Sequence, residues 1–387
     1  MRRTWLCTCF ATFALLVAAA PARAQIGKTV LIPANSPEDK ALKEIAAAPT
    51  SAEKLALLDK FSAEYGKGDV EIVADEQYVS LYSADKKYDK AFEYADKGLA
   101  ADPDSFSIAY AAFGAARDKG DVDHEFKYGL ALAGMVSRYK QKPAPADEEQ
   151  RSWDEKKKET LAGISDSMNF VSGTLLNAAS GIQDPKRQAA LLGPYAIAFA
   201  DSPYAEQAQT LVADSYRRMR EFDKMTSFAQ QVLAKDPNDI SMLLLLADDG
   251  SDRGVNLPQA EASARKALDL LAAAKKPEGV ADEQWAHRVA VQNGIAWSAL
   301  GQVAAYKKND AGALDSFQKA APLLKGENFL YARNQYRMGF ALLNLKRTPE
   351  AKAALTQAAA LDTPYKQLAQ EKLNSLAGPK TAKKKAA

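Results

Sequence analysis

Lys87-Tyr88-Asp89-Lys90-Ala91-Phe92-Glu93-Tyr94-Ala95-Asp96-Lys97-Gly98-Leu99 runs on to Ala101-Asp102-Pro103-Asp104. Its apolar positions Phe92, Ala95 and Leu99 fall three and four apart, so they line one face of a helix. An aromatic residue opens the segment and Asp-Pro closes it. Proline fits just past a helix end because it cannot continue the hydrogen-bond ladder. The same shape returns at Glu221-Phe222-Asp223-Lys224-Met225, through Phe228-Ala229 and Val232-Leu233, to Lys235-Asp236-Pro237-Asn238. Abundant alanine among Leu, Glu and Lys favours helix elsewhere in the chain, since alanine loses no side-chain entropy there.

These strings resemble the second helix of a tetratricopeptide repeat (TPR), a family with a period of about 34 residues. Setting Pro103 and Pro237 at the family's proline position starts units at Ile72 and Glu206, with following units at Phe106 and Ile240. In a unit from Gly294, Trp297, Leu300 and Gly301 fall at first-helix packing positions, and Ala313, Phe317 and Ala320 at those of the second helix. A unit near Ala332 has Met338, Gly339, Ala351, Leu355 and Ala358. A weaker one near Phe170 has Leu176, Ala189 and Ala196. Small residues at such points let two helix backbones approach closely. The unit at Phe106 departs from the pattern with Glu125 where a small residue is expected, and the unit at Ile240 has one extra residue around Asn256-Leu257-Pro258. The resemblance implies an all-α, TPR-like α-solenoid, a right-handed superhelix of antiparallel helix pairs.

The chain divides as follows: 1–24 signal peptide, 25–69 N-terminal strap and short helices, 70–139 TPR-like units, 140–169 helical connector, 170–378 TPR-like units with a C-terminal capping helix, and 379–387 Lys/Ala tail. Ser36 before Pro37 and Thr50 before Glu53 are read as helix N-caps. In Phe199-Ala200-Asp201-Ser202-Pro203-Tyr204-Ala205, Ser202 is read as a cap with Pro203 opening the helix. Arg2 and Arg3, the uncharged run Leu6–Ala20 and Ala22-Arg23-Ala24 read as a cleaved export leader, with an uncleaved membrane anchor as the alternative. The general secretory type fits better than the twin-arginine type that Arg2-Arg3-Thr4-Trp5-Leu6 also resembles, and the sequence leaves the route open. The expectation is a periplasmic or secreted protein cut after Ala24, with no membrane span in the mature chain. Both cysteines, Cys7 and Cys9, lie in the leader, which removes thiolate chemistry and disulfides from the remainder. The leader also holds three of the 51 basic residues and no acid, leaving 48 bases against 49 acids. Four of those lysines sit in the tail, so the body is mildly acidic. Nucleic acid is therefore not an expected partner, since it demands a dense basic surface.

Catalytic signatures are missing. His124 and His287 stand apart, and His124-Glu125 lacks the second histidine of a zinc helix. No cofactor or metal is expected. Asp248-Asp249-Gly250-Ser251-Asp252 lacks the spaced ligands of a calcium loop and is read as the turn between two helices of one repeat. The expected function is a non-enzymatic scaffold in the cell envelope that binds a protein or peptide in a concave groove. Alternatives are an envelope-assembly or cell-division accessory factor and, more remotely, a cell-wall hydrolase using a carboxylate pair.

Family groove positions, carried over residue by residue, give Tyr110 and Arg117; Asp214, Arg217 and Arg218; Gln302 and Tyr306; and Arg333, Tyr336 and Asn344. Tyr and Arg dominate interface energetics because they combine contact area with a polar end. Arg333 and Arg337 also match the basic positions of a groove type that clamps a chaperone's C-terminal carboxylate. Leu244, Asp248, Ser298 and Gln302 stand where that clamp needs Lys and Asn, so the sequence argues against it.

Overall fold

The structure is a computed structural model that describes residues 26–377. The expected leader and the Lys/Ala tail from 379 onward lie outside the described residues. Among the described residues there are seventeen helices and no strand.

An irregular strap leads into α1 (Pro37–Ala47) and α2 (Ser51–Tyr65). Then come α3 (Val70–Ala84) with α4 (Tyr88–Ala101), α5 (Phe106–Lys119) with α6 (Val122–Gln141), and the long α7 (Gln150–Ser180). A second series begins with α8 (Pro185–Ala198), α9 (Ala205–Met219) and α10 (Phe222–Lys235). It continues with the pairs α11 (Ile240–Arg253) and α12 (Leu257–Ala273), α13 (Asp282–Tyr306) and α14 (Asp310–Leu323), and α15 (Asn328–Asn344) and α16 (Thr348–Ala359). It closes with α17 (Tyr365–Leu376). The chain forms two compact units, one running to Ile182 and one starting at Gln183.

One corner recurs between the helices of a pair. A residue in the left-handed region stands just past the first helix: Lys86, Gly120, Arg220, Gly254, Lys308 and Lys346, with φ between 58° and 73°. The next N–H then donates back to the carbonyl five residues earlier, as Lys87 does to Tyr82 and Asn309 to Ala304, at 2.8 and 2.9 Å. This is the Schellman closure of a helix end. The left-handed residue recurs 34 positions apart at Lys86 and Gly120, and again at Arg220 and Gly254. The corner after α11 is longer by one residue, Asn256 (φ 46°), which is the insertion expected there.

Other sequence expectations meet their atoms. Ser36 and Thr50 accept the N–H groups of Asp39 and Glu53, both at 3.2 Å. Asp102 and Asp236 cap α4 and α10, with Pro103 and Pro237 immediately beyond. Leu58 and Phe61 of α2 are buried against Ala74 and Tyr78 of α3. A Cβ on Gly301 would sit 2.6 Å from the Phe317 ring, and one on Gly339 would sit 2.8 Å from Leu355, so these pairs nest backbone to side chain. Helix α17 covers Leu355 and Ala358 with Ala369 and Leu373, as a terminal cap must.

Three readings need correction. Asp248–Asp252 is not a turn: it lies inside α11, where Gly250 and Ser251 are buried. The turn signal of Asp, Gly and Ser gives way to the helical face they continue. Pro203 does not open a helix; α9 starts at Ala205, and Ser202 Oγ accepts the Tyr204 N–H at 3.2 Å. The unit read from Phe170 is divided, with α7 packing on α6 in the first unit and α8 on α9 in the second. No helix among the described residues is long and apolar enough to cross a membrane.

Candidate functional site

In the first unit the first helices of successive pairs, α3 and α5, pack side by side. Tyr110 on α5 is half-buried and stacks on Phe106, ring centroids 5.9 Å apart. Arg117, two turns on, is exposed and binds Asp118 through Nε and Nη2 at 3.2 and 2.8 Å. Its guanidinium also lies 5.3 Å from the Phe170 ring, which is 43% exposed and edge-on to Phe113. A Cβ on Gly114, between Tyr110 and Arg117 on the same helix, would meet nothing within 4 Å. Phe170 thus joins the wall, although the sequence marked it only as the start of a repeat; its aromatic character at a first-helix position was the available signal.

Glu125 is buried just behind Arg117, across the corner from α5 to α6. Its Oε2 has no hydrogen-bond partner. Burial pushes its pKa above the ordinary carboxylate value, with the Arg117 charge acting in the opposite direction.

In the second unit the candidates fall into three groups. Asp214, Arg217 and Arg218 are exposed on α9, and Arg218 Nη2 donates to the Gln183 carbonyl at 2.9 Å. Gln302 is half-buried on α13. Tyr306, 46% exposed, lays its ring over Gly254, and Asn344 is exposed and donates to Asp310 at 2.9 Å. Tyr336 packs between Phe340 and Tyr365 with centroids 4.9 and 5.5 Å away, so it anchors the capping helix as much as it lines a wall.

Arg333 is the clear correction. Its side chain is only 5% exposed and is held bidentately by Asp248, Nη1 to Oδ2 at 3.1 Å. Arg337, one turn on and 8% exposed, pairs with Asp252. The Asp248 charge and hydrogen bonds outweigh burial and raise the Arg333 pKa, whereas burial and then the neighbouring Arg333 charge lower that of Arg337. Arg333 is therefore engaged inside the protein and not offered to a partner. The sequence did hold a signal: two arginines four apart on α15 match two aspartates four apart on α11, and each pair is separated by 85 residues.

The histidines do not converge. His124 Nδ1 lies 2.9 Å from Asp121 and its ring stacks on Phe92 at 4.1 Å, while His287 Nε2 lies 3.2 Å from Glu327. Among the described residues no cluster of His, Cys, Asp and Glu could hold a metal ion. Carboxylates whose pKa burial raises are Asp75, Glu76, Glu125, Asp239 and Asp249, spread over α3, α6 and α11 with its N-cap. An open notch of about 590 Å³ in the first unit is lined by Ile26 to Lys28, Asp102, Asp104 and the end of α6 around Tyr139, and contains none of them.

Repeated corners and nested pairs place the fold. It is TPR-like. The solved structures it resembles include the TPR domain of P58(IPK), at 12% identity over 88% of this chain and 98% of that one, with a TM-score of 0.25. The Cut9-Hcn1 hetero-tetramer of APC/C is similar at 15% identity over 88% and 78%, TM-score 0.25. Yeast Tom70 is similar at 13% identity over 87% and 94%, TM-score 0.21. No family profile matches the sequence, and no curated protein matches it.

Proposed function

We propose that this protein is a non-enzymatic scaffold that holds a protein or an extended peptide against the first helices of its repeats, in the cell envelope. The carrying observation is the wall of the first unit. There Phe170 and Arg117 stand exposed against each other, Tyr110 is half-buried on the same helix as Arg117, and a Cβ on Gly114 between them in sequence would meet nothing within 4 Å. Exposed aromatic and arginine side chains on a rigid helix row present large contact area at low entropic cost. The scatter of the buried carboxylates supports binding over hydrolysis, which needs two carboxyls facing one bond. The expected leader motivates the location. An assembly or division role is a narrower version of the same binding reading.

Site-specific photocrosslinking in the native cell tests this. A crosslinker in place of Phe170 or Tyr306 is expected to trap one defined adduct, and one at Ala262, exposed on the second helix α12, none. Equal labelling from all three positions would remove the inner wall as the site. Fractionation of the same cells reads the location, with the chain expected in the envelope fraction.

A further inference from the structure

Two ion pairs in the second unit join helices that are not neighbours. Arg333 and Arg337 stand on α15, and Asp248 and Asp252 on α11. Between these lies α13, which packs against both. The bridges therefore reach across α13, on which Ser298, at a family groove position, is 1% exposed. A third bridge has the same reach. Arg288 at the overhanging start of α13 binds Glu206 of α9, which also accepts Ser241 Oγ of α11 at 3.1 Å. Long arginine side chains thus tie first helices two places apart.

The closed arrangement is incompletely satisfied. Arg333 Nε, Arg337 Nη1 and Ser298 Oγ are all buried without a hydrogen-bond partner. Buried donors left unmade oppose the arrangement that buries them, and opening would hydrate all three. The Asp ends, by contrast, are 26% and 49% exposed.

We propose that these two bridges form a charge latch, which holds α11 and α15 together over α13 and sets the width of the second unit's inner wall. While it is closed, the trough at Ser298 is filled by the protein's own side chains. A partner then meets α13 only further along, at Gln302 and Tyr306. That consequence rests on the inner-wall reading above; the latch itself does not, and the two fail separately because the test needs no partner.

The test measures a distance. Cys7 and Cys9 are replaced by serine in the full chain, and cysteines carrying spin labels are placed at Ala262 on α12 and Lys352 on α16, both exposed on second helices. Pulsed dipolar spectroscopy gives their separation. Releasing the inner wall flattens the stack, so Asp248→Asn with Asp252→Asn is expected to shorten and broaden this outer distance, and Asp252→Asn alone to do so in part. Helicity by circular dichroism confirms that each variant is folded. Asp252→Asn changes a half-exposed side chain, and it decides the question if the double variant does not fold. A folded Asp252→Asn variant with the wild-type distance distribution would overturn the latch.

Discussion

Glu125 shows how one residue can break a repeat's rule. Where the pattern wants a small side chain, a carboxyl is buried with one oxygen unbonded. Burial, the leading cause, raises its pKa above 4.5. An acid with a raised folded pKa holds its proton more tightly in the folded state, so its stability contribution is complete below 4.5 and is lost as pH climbs through the raised value. Glu125→Gln is expected to raise stability at pH 7, because the amide carries no charge to be stripped of water, although its polar end stays buried. Thermal melts across pH check this: the advantage should shrink as pH falls toward 4.5, and a gap independent of pH would assign the effect to packing instead. The sequence flagged Glu125 as a departure from pattern. It could not show that Arg117 turns outward to Asp118 and Phe170 and leaves the carboxyl without a full partner.

At the scale of helices, nesting decides stability. Gly301 lies against the ring of Phe317, which is fully buried. Gly301→Ala is expected to cost about 1–3 kcal/mol by overpacking. Gly114→Ala, where nothing stands within 4 Å, should gain up to about 1 kcal/mol of helix propensity. Urea denaturation of the two variants should therefore move in opposite directions, and equal shifts would show that propensity alone is being read. Helix pairs, caps and the Asp-Pro stops were legible because each depends on residues within one or two turns. The bridges from α15 to α11 were not, because they depend on how three helices lie together in space. The Asp248–Asp252 run misled for a related reason: its composition suits a turn, but burial of Gly250 and Ser251 keeps it helical.

For the molecule as a whole, the division at Ile182 and Gln183 has a thermodynamic meaning. In a stack of repeats each helix gains from its neighbours, so a boundary between compact units is where cooperativity weakens. Denaturation is expected to proceed in two phases by far-UV circular dichroism. Trp153 is the tryptophan of the first unit within the described residues, and Trp285 and Trp297 belong to the second. In a Trp153→Phe variant, fluorescence should follow one phase alone. Coincidence of both probes in a single transition would show that the units unfold together. Sequence periodicity does not mark this boundary, because α7 carries repeat-like residues while packing on α6.

The recurring corner with its left-handed lysine, arginine or glycine has a consequence for how such a chain can change length. Since Lys86 and Gly120 sit 34 residues apart in the same backbone geometry, a cassette cut at one corner and spliced in at the other would meet matching ends. Duplication in the gene could thus extend the row by a whole pair without redesigning a junction, leaving only the new neighbours' side chains to be refitted.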